Sequence, residues 1–258
     1  MRVFDFTHAI VREPSRSVVN GLREDASATP DFEKIAAEHR AYVSVLGDLG
    51  LAVDVLPALE GFPDSVFVED PAFVLPEGAI LLRPGAPSRV GEREEMRDVL
   101  KRHFGQVLEL GENEYADGGD ILVTPQTIFI GLSQRTTRAG AEAFRDKLKA
   151  LGREARIAQT PAGTLHFKTA SSLLDETTIL CTAAMAQSGM FEGFRLIVTP
   201  AGEEAAANAL RINDTILLGD RFPRTAELIR ALGLSVKTLT VTEIAKLDAG
   251  LSCMSLRW

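Results

Sequence analysis

The 258-residue sequence predicts an α/β fold: a five-fold pseudosymmetric, propeller-like ring of strand-strand-helix-strand units closed by the N- and C-terminal strands. Three observations carry this. A helix, a glycine and a strand recur five times, with the breaks at Gly50, Gly105, Gly152, Gly193 and Gly233 spaced 55, 47, 41 and 40 residues apart. Four of these helices follow a hairpin signal. The fifth, at 31 to 49, lacks a complete hairpin, and the two strand-like runs left to supply it lie at opposite ends of the sequence.

RVFDF reads as the first strand. In DFEKIAAEHRAYVSVLGDLGLAVDVLP, a Pro30-Asp31 start precedes a helix with Phe32, Ile35, Ala36, Val43, Leu46 and Leu49 on one face, which breaks at Gly50 into an alternating strand. VFVEDPAFVLPEGAILLR, with its Pro-Glu-Gly turn, is the first full hairpin, followed by the helix and strand of EREEMRDVLKRHFGQVLEL. DILVTPQTIFIGL with AEAFRDKLKALGREARIA repeats the unit. SSLLDETTILCT leads to the shorter copy AQSGMFEGFRLIVTP, and ANALRINDTILLG leads to TAELIRALGLSVKTLTV. LSCMSLR remains as the closing strand, which places Cys253 on it and near the ring's centre.

An apolar content of 45% and the absence of a low-complexity linker fit a single catalytic domain over residues 1–258. Two cysteines are too few for a disulfide scaffold, and MRVFDFTHAIVREPS has no signal-peptide core, so free thiols in the cytoplasm are expected. No apolar run suits a bilayer. The formal charge of -8 argues against nucleic-acid and anionic-membrane partners and fits a cationic small substrate.

In a closed ring, the segments that lead into successive hairpins converge on the axis. Here they are FPDSVFVEDP, YADGGD, LHFKT and DAGLSC, which together offer carboxylates, a histidine and a cysteine. A nucleophilic thiol needs an acid or base partner. Cys253 and His166 are that pair by placement. His39 lies mid-helix, His103 sits in a last helical turn where a cation suits the macrodipole, His8 is near a strand end, and Cys181 reads as a buried apolar residue. Asp64, Glu69, Asp70 and Asp117 each read singly as loop charges; four beside one thiol suit a guanidinium, whose planar donors match carboxylates in pairs. Arg89 and Arg135 are candidates for an amino acid's α-carboxylate.

FPDSVFVEDPA, RPGAPSRVGE, GGDIL followed by GLSQRT, LHFKTA, AANAL and GLSCMSLRW together resemble, in order and nearly end to end, the dimethylarginine dimethylaminohydrolases of the guanidino-group-modifying (pentein) superfamily. The resemblance implies a ββαβ propeller, agreeing with the repeats. It implies Cys253 as nucleophile, His166 as general acid/base and Asp117 as the acid that holds the guanidinium and orients the histidine. DGGD is closer to the animal members than to the bacterial EAGD form. It also places Asp64, Glu69 and Asp70 around the guanidinium, Phe67 as a wall and Leu22 on a covering loop. Arg89 and Arg135 would then bind the α-carboxylate, and Leu247 and Asp248 the α-amino end. The implied partner is a small guanidino amino acid, taken by a monomer or homodimer. No metal or other cofactor is implied, although Cys253, His166 and the carboxylates are zinc-ligand types and adventitious zinc would inhibit.

Two rival functions follow from the same scaffold. An arginine deiminase would release ammonia from arginine, but that class is typically longer and carries an acid two residues after the histidine, where this sequence has Lys168. A catalytically silent amino-acid binder would not need the set Cys253, His166 and Asp117.

Overall fold

Five three-stranded sheets repeat one hydrogen-bonding pattern in the computed structural model, which describes residues 2–258. The strands are β1 (His8–Arg12), β2 (Ala52–Leu56), β3 (Ala72–Leu75), β4 (Gly78–Leu81), β5 (Val107–Glu109), β6 (Ile121–Val123), β7 (Ile128–Leu132) and β8 (Ala155–Gln159). They continue as β9 (Ser171–Leu173), β10 (Thr178–Cys181), β11 (Arg195–Val198), β12 (Leu210–Ile212), β13 (Thr215–Gly219), β14 (Ser235–Leu239) and β15 (Leu256–Arg257). In each sheet a middle strand pairs antiparallel with an inner strand and parallel with an outer one: β3-β4-β5, β6-β7-β8, β9-β10-β11, β12-β13-β14 and β15-β1-β2. The last of these joins the two ends of the sequence, Ala9 opposite Arg257 and Ile10 opposite Leu256, as the repeats predict.

A helix crosses between the parallel strands of every sheet, as parallel pairing requires. These are α1 (Phe32–Asp48), α2 (Glu92–His103), α3 (Arg138–Ala150), α4 (Ala183–Gln187) and α5 (Pro223–Arg230). Local chemistry sets their ends. Asp31 caps α1 by accepting from the Lys34 amide, Thr137 caps α3 through the Gly140 amide, and α2 opens with Glu92, Glu94 and Glu95 and closes with Lys101, Arg102 and His103 along its dipole. Gly50 leaves α1 at φ 93°, a conformation that costs a side chain energy, whereas Gly105 after α2 has no positive φ and is only a link. Among the described residues no helix is long and apolar enough to cross a membrane.

Three expectations are corrected. RVFDF is not the first strand. Phe4 is buried under the Arg211 guanidinium, 3.9 Å from the ring centroid, and its carbonyl accepts from the Asn213 amide, so this arm docks on the β12-β13 turn and pairing starts at His8. Cys253 is not on the closing strand: Ser252–Met254 form a 3-10 turn, held by the Cys253 amide donating to the Gly250 carbonyl at 3.3 Å, and β15 begins only at Leu256. The weak fourth helix is five residues long and lies upstream of its expected place, in Ala183–Gln187.

The middle strands β4, β7 and β10 are buried throughout, with α2 packed on β4 and α3 on β7. The inner strands meet about the axis, where β15 touches β3, and β9 touches both β6 and β12. Every inner strand is preceded by a short polar turn, and those five turns gather at one end of the ring.

Candidate active site

Three of the turns bring together Asp70, Asp117 and His166. One donor atom from each lies within 4.8 Å of the others, and all three residues are buried. His166 shares Nε2 with Asp117 Oδ2 at 3.1 Å. The other Asp117 oxygen accepts from the Gly85 amide at 2.6 Å, and its own amide donates to Thr136 Oγ1, so the carboxylate is fixed at both ends. His166 starts a 3-10 turn closed by Thr169 Oγ1, which donates to the His166 carbonyl at 2.6 Å. The next residue, Phe167, is fully buried against Phe129 and Phe191 and anchors that backbone in the core. Gly119 keeps the centre open: a Cβ there would lie 2.8 Å from His166 Nδ1 and 3.1 Å from Asp70 Oδ1.

Burial alone would strip His166 of its proton, but the carboxylates of Asp120, Asp117 and Asp70 outweigh it and hold the imidazole at about 9. The ring is an acid at neutral pH. Cys253, 7% exposed, responds the opposite way: burial, then the charges of Glu69 and Asp70, push its thiol up to about 12. Its carbonyl accepts from the Glu69 amide at 3.2 Å, and Ser252 Oγ stands 4.0 Å from the sulfur. Asp70 stays ionised, since burial is overcome by Arg89 and His166. Asp64 is raised by burial despite Arg89 and the Leu22 amide. The trio Asp70, Asp117 and His166 has metal-ligand chemistry, but a metal would have to displace the proton that these same carboxylates hold on the ring.

The residues expected to bind a guanidino amino acid fall into two groups. Leu22 is 39% exposed on a loop whose amide donates to Asp64 Oδ1 at 3.0 Å, and Leu247 lies beneath it, beside Gly21. Phe67 is buried behind Asp64. Arg135 is half-buried, its guanidinium makes no hydrogen bond or ion pair among the described residues, and its charge acts on Asp64. Three residues are otherwise engaged. Arg89 is buried and spends its donors on Asp70 Oδ2 (2.5 Å), Glu92 Oε2 (2.8 Å) and the carbonyls of Asp64 and Phe67, so it braces the acidic turn where a carboxylate clamp was expected. Glu69 is held by Lys168 Nζ at 2.5 Å, Arg257 Nη2 at 3.2 Å and Ser252 Oγ at 3.1 Å, behind Asp70. Asp248, in the left-handed region at φ 53°, accepts from the Glu24 amide at 2.6 Å and ties down the covering loop.

Two residues went unread in the sequence. Asp120 accepts from Ser133 Oγ (2.6 Å), Thr136 Oγ1 (2.7 Å) and the Phe167 amide (2.8 Å), and supplies the largest carboxylate charge on His166; burial raises it to about 6. Its signal was a lone acid opening the apolar run ILV, which only a satisfied buried carboxylate explains. Asn208 heads the fourth hairpin. It donates to the Lys168 carbonyl (3.1 Å) and Ser252 Oγ (3.2 Å) and accepts from the Ser252 amide (3.1 Å), linking the flanks of His166 and Cys253.

The sequence and the fold recur in known proteins. The family model for eukaryotic N,N dimethylarginine dimethylhydrolase matches residues 15–188. The N(G),N(G)-dimethylarginine dimethylaminohydrolase of Pseudomonas aeruginosa is 35% identical over 254 residues, covering 98% of this chain and 100% of the relative, and that of Streptomyces coelicolor is 31% identical, covering 96% of each. A solved structure of the Pseudomonas aeruginosa enzyme, a cysteine-to-serine mutant complexed with citrulline, superposes with a TM-score of 0.96 over 99% of this chain and 100% of that one. On fold, coverage and identity together, the chain belongs to the dimethylarginine dimethylaminohydrolase family.

Proposed function

We propose that this protein hydrolyses Nω-methylated arginines to citrulline and dimethylamine or methylamine, with the whole ring acting as one catalytic unit. The observation that carries the reading is the protonated His166, hydrogen-bonded to Asp117, set among carboxylates at the turn-rich end that also holds Cys253. The two unpaired cysteines fit a reducing compartment such as the cytoplasm.

In the empty site the thiol keeps its proton, because Glu69 and Asp70 oppose a third negative charge. A guanidinium held by Asp70 and Asp64 reverses this, since its positive charge beside the sulfur offsets those carboxylates and favours the thiolate. The thiol's proton passes to solvent and the thiolate adds to the guanidinium carbon. As the bond from that carbon to the methylated nitrogen breaks, the His166 imidazolium gives its proton to the departing amine. The neutral ring next takes a proton from water, whose oxygen adds to the same carbon; the carbon-sulfur bond breaks and the proton left on that oxygen passes to the departing sulfur, yielding citrulline and the thiol. Asp117 keeps Nε2 engaged and leaves Nδ1 to serve both proton transfers. Arg135 would hold the α-carboxylate, aligning the carbon with Cys253.

Citrulline formation from asymmetric dimethylarginine, monomethylarginine and arginine tests the reading. Methylated substrates are expected to show kcat/KM about 100-fold or more above arginine, equivalent to about 2.7 kcal/mol in transition-state binding. Equal turnover of arginine would move the protein to the deiminases, and no citrulline from any of the three would leave a silent binder.

A further inference from the structure

One buried hydroxyl stands between a carboxylate and the thiol. Ser252 Oγ donates to Glu69 Oε2 at 3.1 Å and lies 4.0 Å from Cys253 Sγ, and Ser252 is only 4% exposed. A hydroxyl has one proton and two lone pairs. Asn208 Nδ2 donates to one lone pair at 3.2 Å while Asn208 Oδ1 accepts from the Ser252 amide at 3.1 Å, so the oxygen is pinned and its proton is free to turn. The second lone pair faces the thiol. Glu69 does not depend on this hydroxyl alone, because its other oxygen, Oε1, takes Lys168 Nζ at 2.5 Å and Arg257 Nη2 at 3.2 Å. Of the charges that act on the sulfur, Glu69 and Asp70 oppose its ionisation and Lys168 favours it, with Asp117 and His166 grouped beside Asp70.

We propose that Ser252 is a further catalytic group: its hydroxyl donates to Glu69 while the sulfur carries a proton, and turns to the Cys253 thiolate once that proton has left. This rests on Cys253 acting as the nucleophile. No covalent bond of Ser252 changes. Its proton stays on its own oxygen throughout, and the thiol proton passes to solvent as in the reaction above. What changes is which anion the donor serves. Glu69 gives up one of three donors and keeps both cations on Oε1, whereas the sulfur gains a donor as it becomes charged. The carboxylate is already matched by those cations, so the new thiolate is the stronger claimant on the proton. A separation of 4.0 Å is long for the neutral pair and closes as charge builds on the sulfur.

Alkylation of Cys253 by iodoacetamide, located by peptide mass, reads the supply of thiolate without requiring turnover. At pH 8 the rate constant of Ser252→Ala should fall about tenfold below the parent's, and Ser252→Thr, which keeps the hydroxyl, should stay within about threefold of it. Losing the hydroxyl also bares Glu69, so the comparison is repeated on Glu69→Gln, where no carboxylate stands. Ser252→Ala should again slow alkylation about tenfold there, because the donor serves the sulfur directly. Ser252→Val and Ser252→Thr, matched in shape, should differ about tenfold whatever the added bulk costs, and thermal unfolding shows whether each variant is folded. With asymmetric dimethylarginine, Ser252→Ala should lower kcat about tenfold and move KM less than about threefold. The proposal is overturned if folded Ser252→Ala is alkylated or turns over like the parent, if its effect vanishes on Glu69→Gln, or if the Val and Thr variants react alike. A parent that makes no citrulline while the alkylation rates fall as expected would count against the reaction assigned to Cys253 and not against the donor.

Discussion

A thiol pushed up to about 12 and an imidazole held at about 9 both keep their protons at neutral pH, the state from which the proposed cycle starts. Between pH 7 and 9 the free protein's thiolate fraction should therefore rise about tenfold per pH unit without a plateau. Alkylation of Cys253 by neutral iodoacetamide, followed by mass, should show that slope; a cationic alkylating agent should react far faster at pH 7. A rate for iodoacetamide that is flat over this range would mean the thiol is already ionised. Asn208→Ala should lower kcat about 10- to 100-fold while shifting KM little, because it frees Ser252 and the Lys168 backbone without touching a substrate-binding group. A change confined to KM would refute that positioning role. That Asp117 and His166 meet was legible because equivalent positions in a ring converge. Arg89 was read as a clamp because sequence gives charge but not partners, and Glu92, three residues on, claims it.

Helices were the most legible elements, since caps and dipole charges are local chemistry, whereas strands failed wherever tertiary contacts overrode an apolar run, as at Phe4 and Met254. Within α1, His39 shows what periodicity hides. It lies on the buried face, 2% exposed, its Nε2 has no partner among the described residues, and burial lowers it to about 4. The unfolded chain binds a proton there near pH 6.5 and the folded one only near 4, so its contribution is whole above 6.5 and is lost as pH falls toward 4. The loss reaches about 3 kcal/mol. Urea unfolding of parent and His39→Gln at pH 7 and pH 4.5 should show a smaller acid loss in the variant. If both lose stability equally, the ring is not held neutral in the fold.

For the molecule as a whole, the number of units and their closure were readable from glycine spacing and from the missing hairpin, but the three donors that meet on Glu69 were not, because no local pattern records what lies between five sheets. Closure itself has a kinetic consequence. Ala9 and Arg257 are 248 positions apart, as 257 minus 9 gives, yet their pairing locks the turn that presents Cys253. Bringing such distant partners together carries a loop-closure penalty and slows folding. Circular permutation would turn that last encounter into a local one. A flexible linker from Trp258 to Arg2, with new ends opened at the exposed Ala201-Gly202 turn, makes β15 and β1 near neighbours along the chain. The permutant should refold about tenfold faster than the parent and regain citrulline formation in step with refolding. An unchanged rate would show that the clasp between β1 and β15 is not the slow event, and that the thiol is presented before the ring shuts.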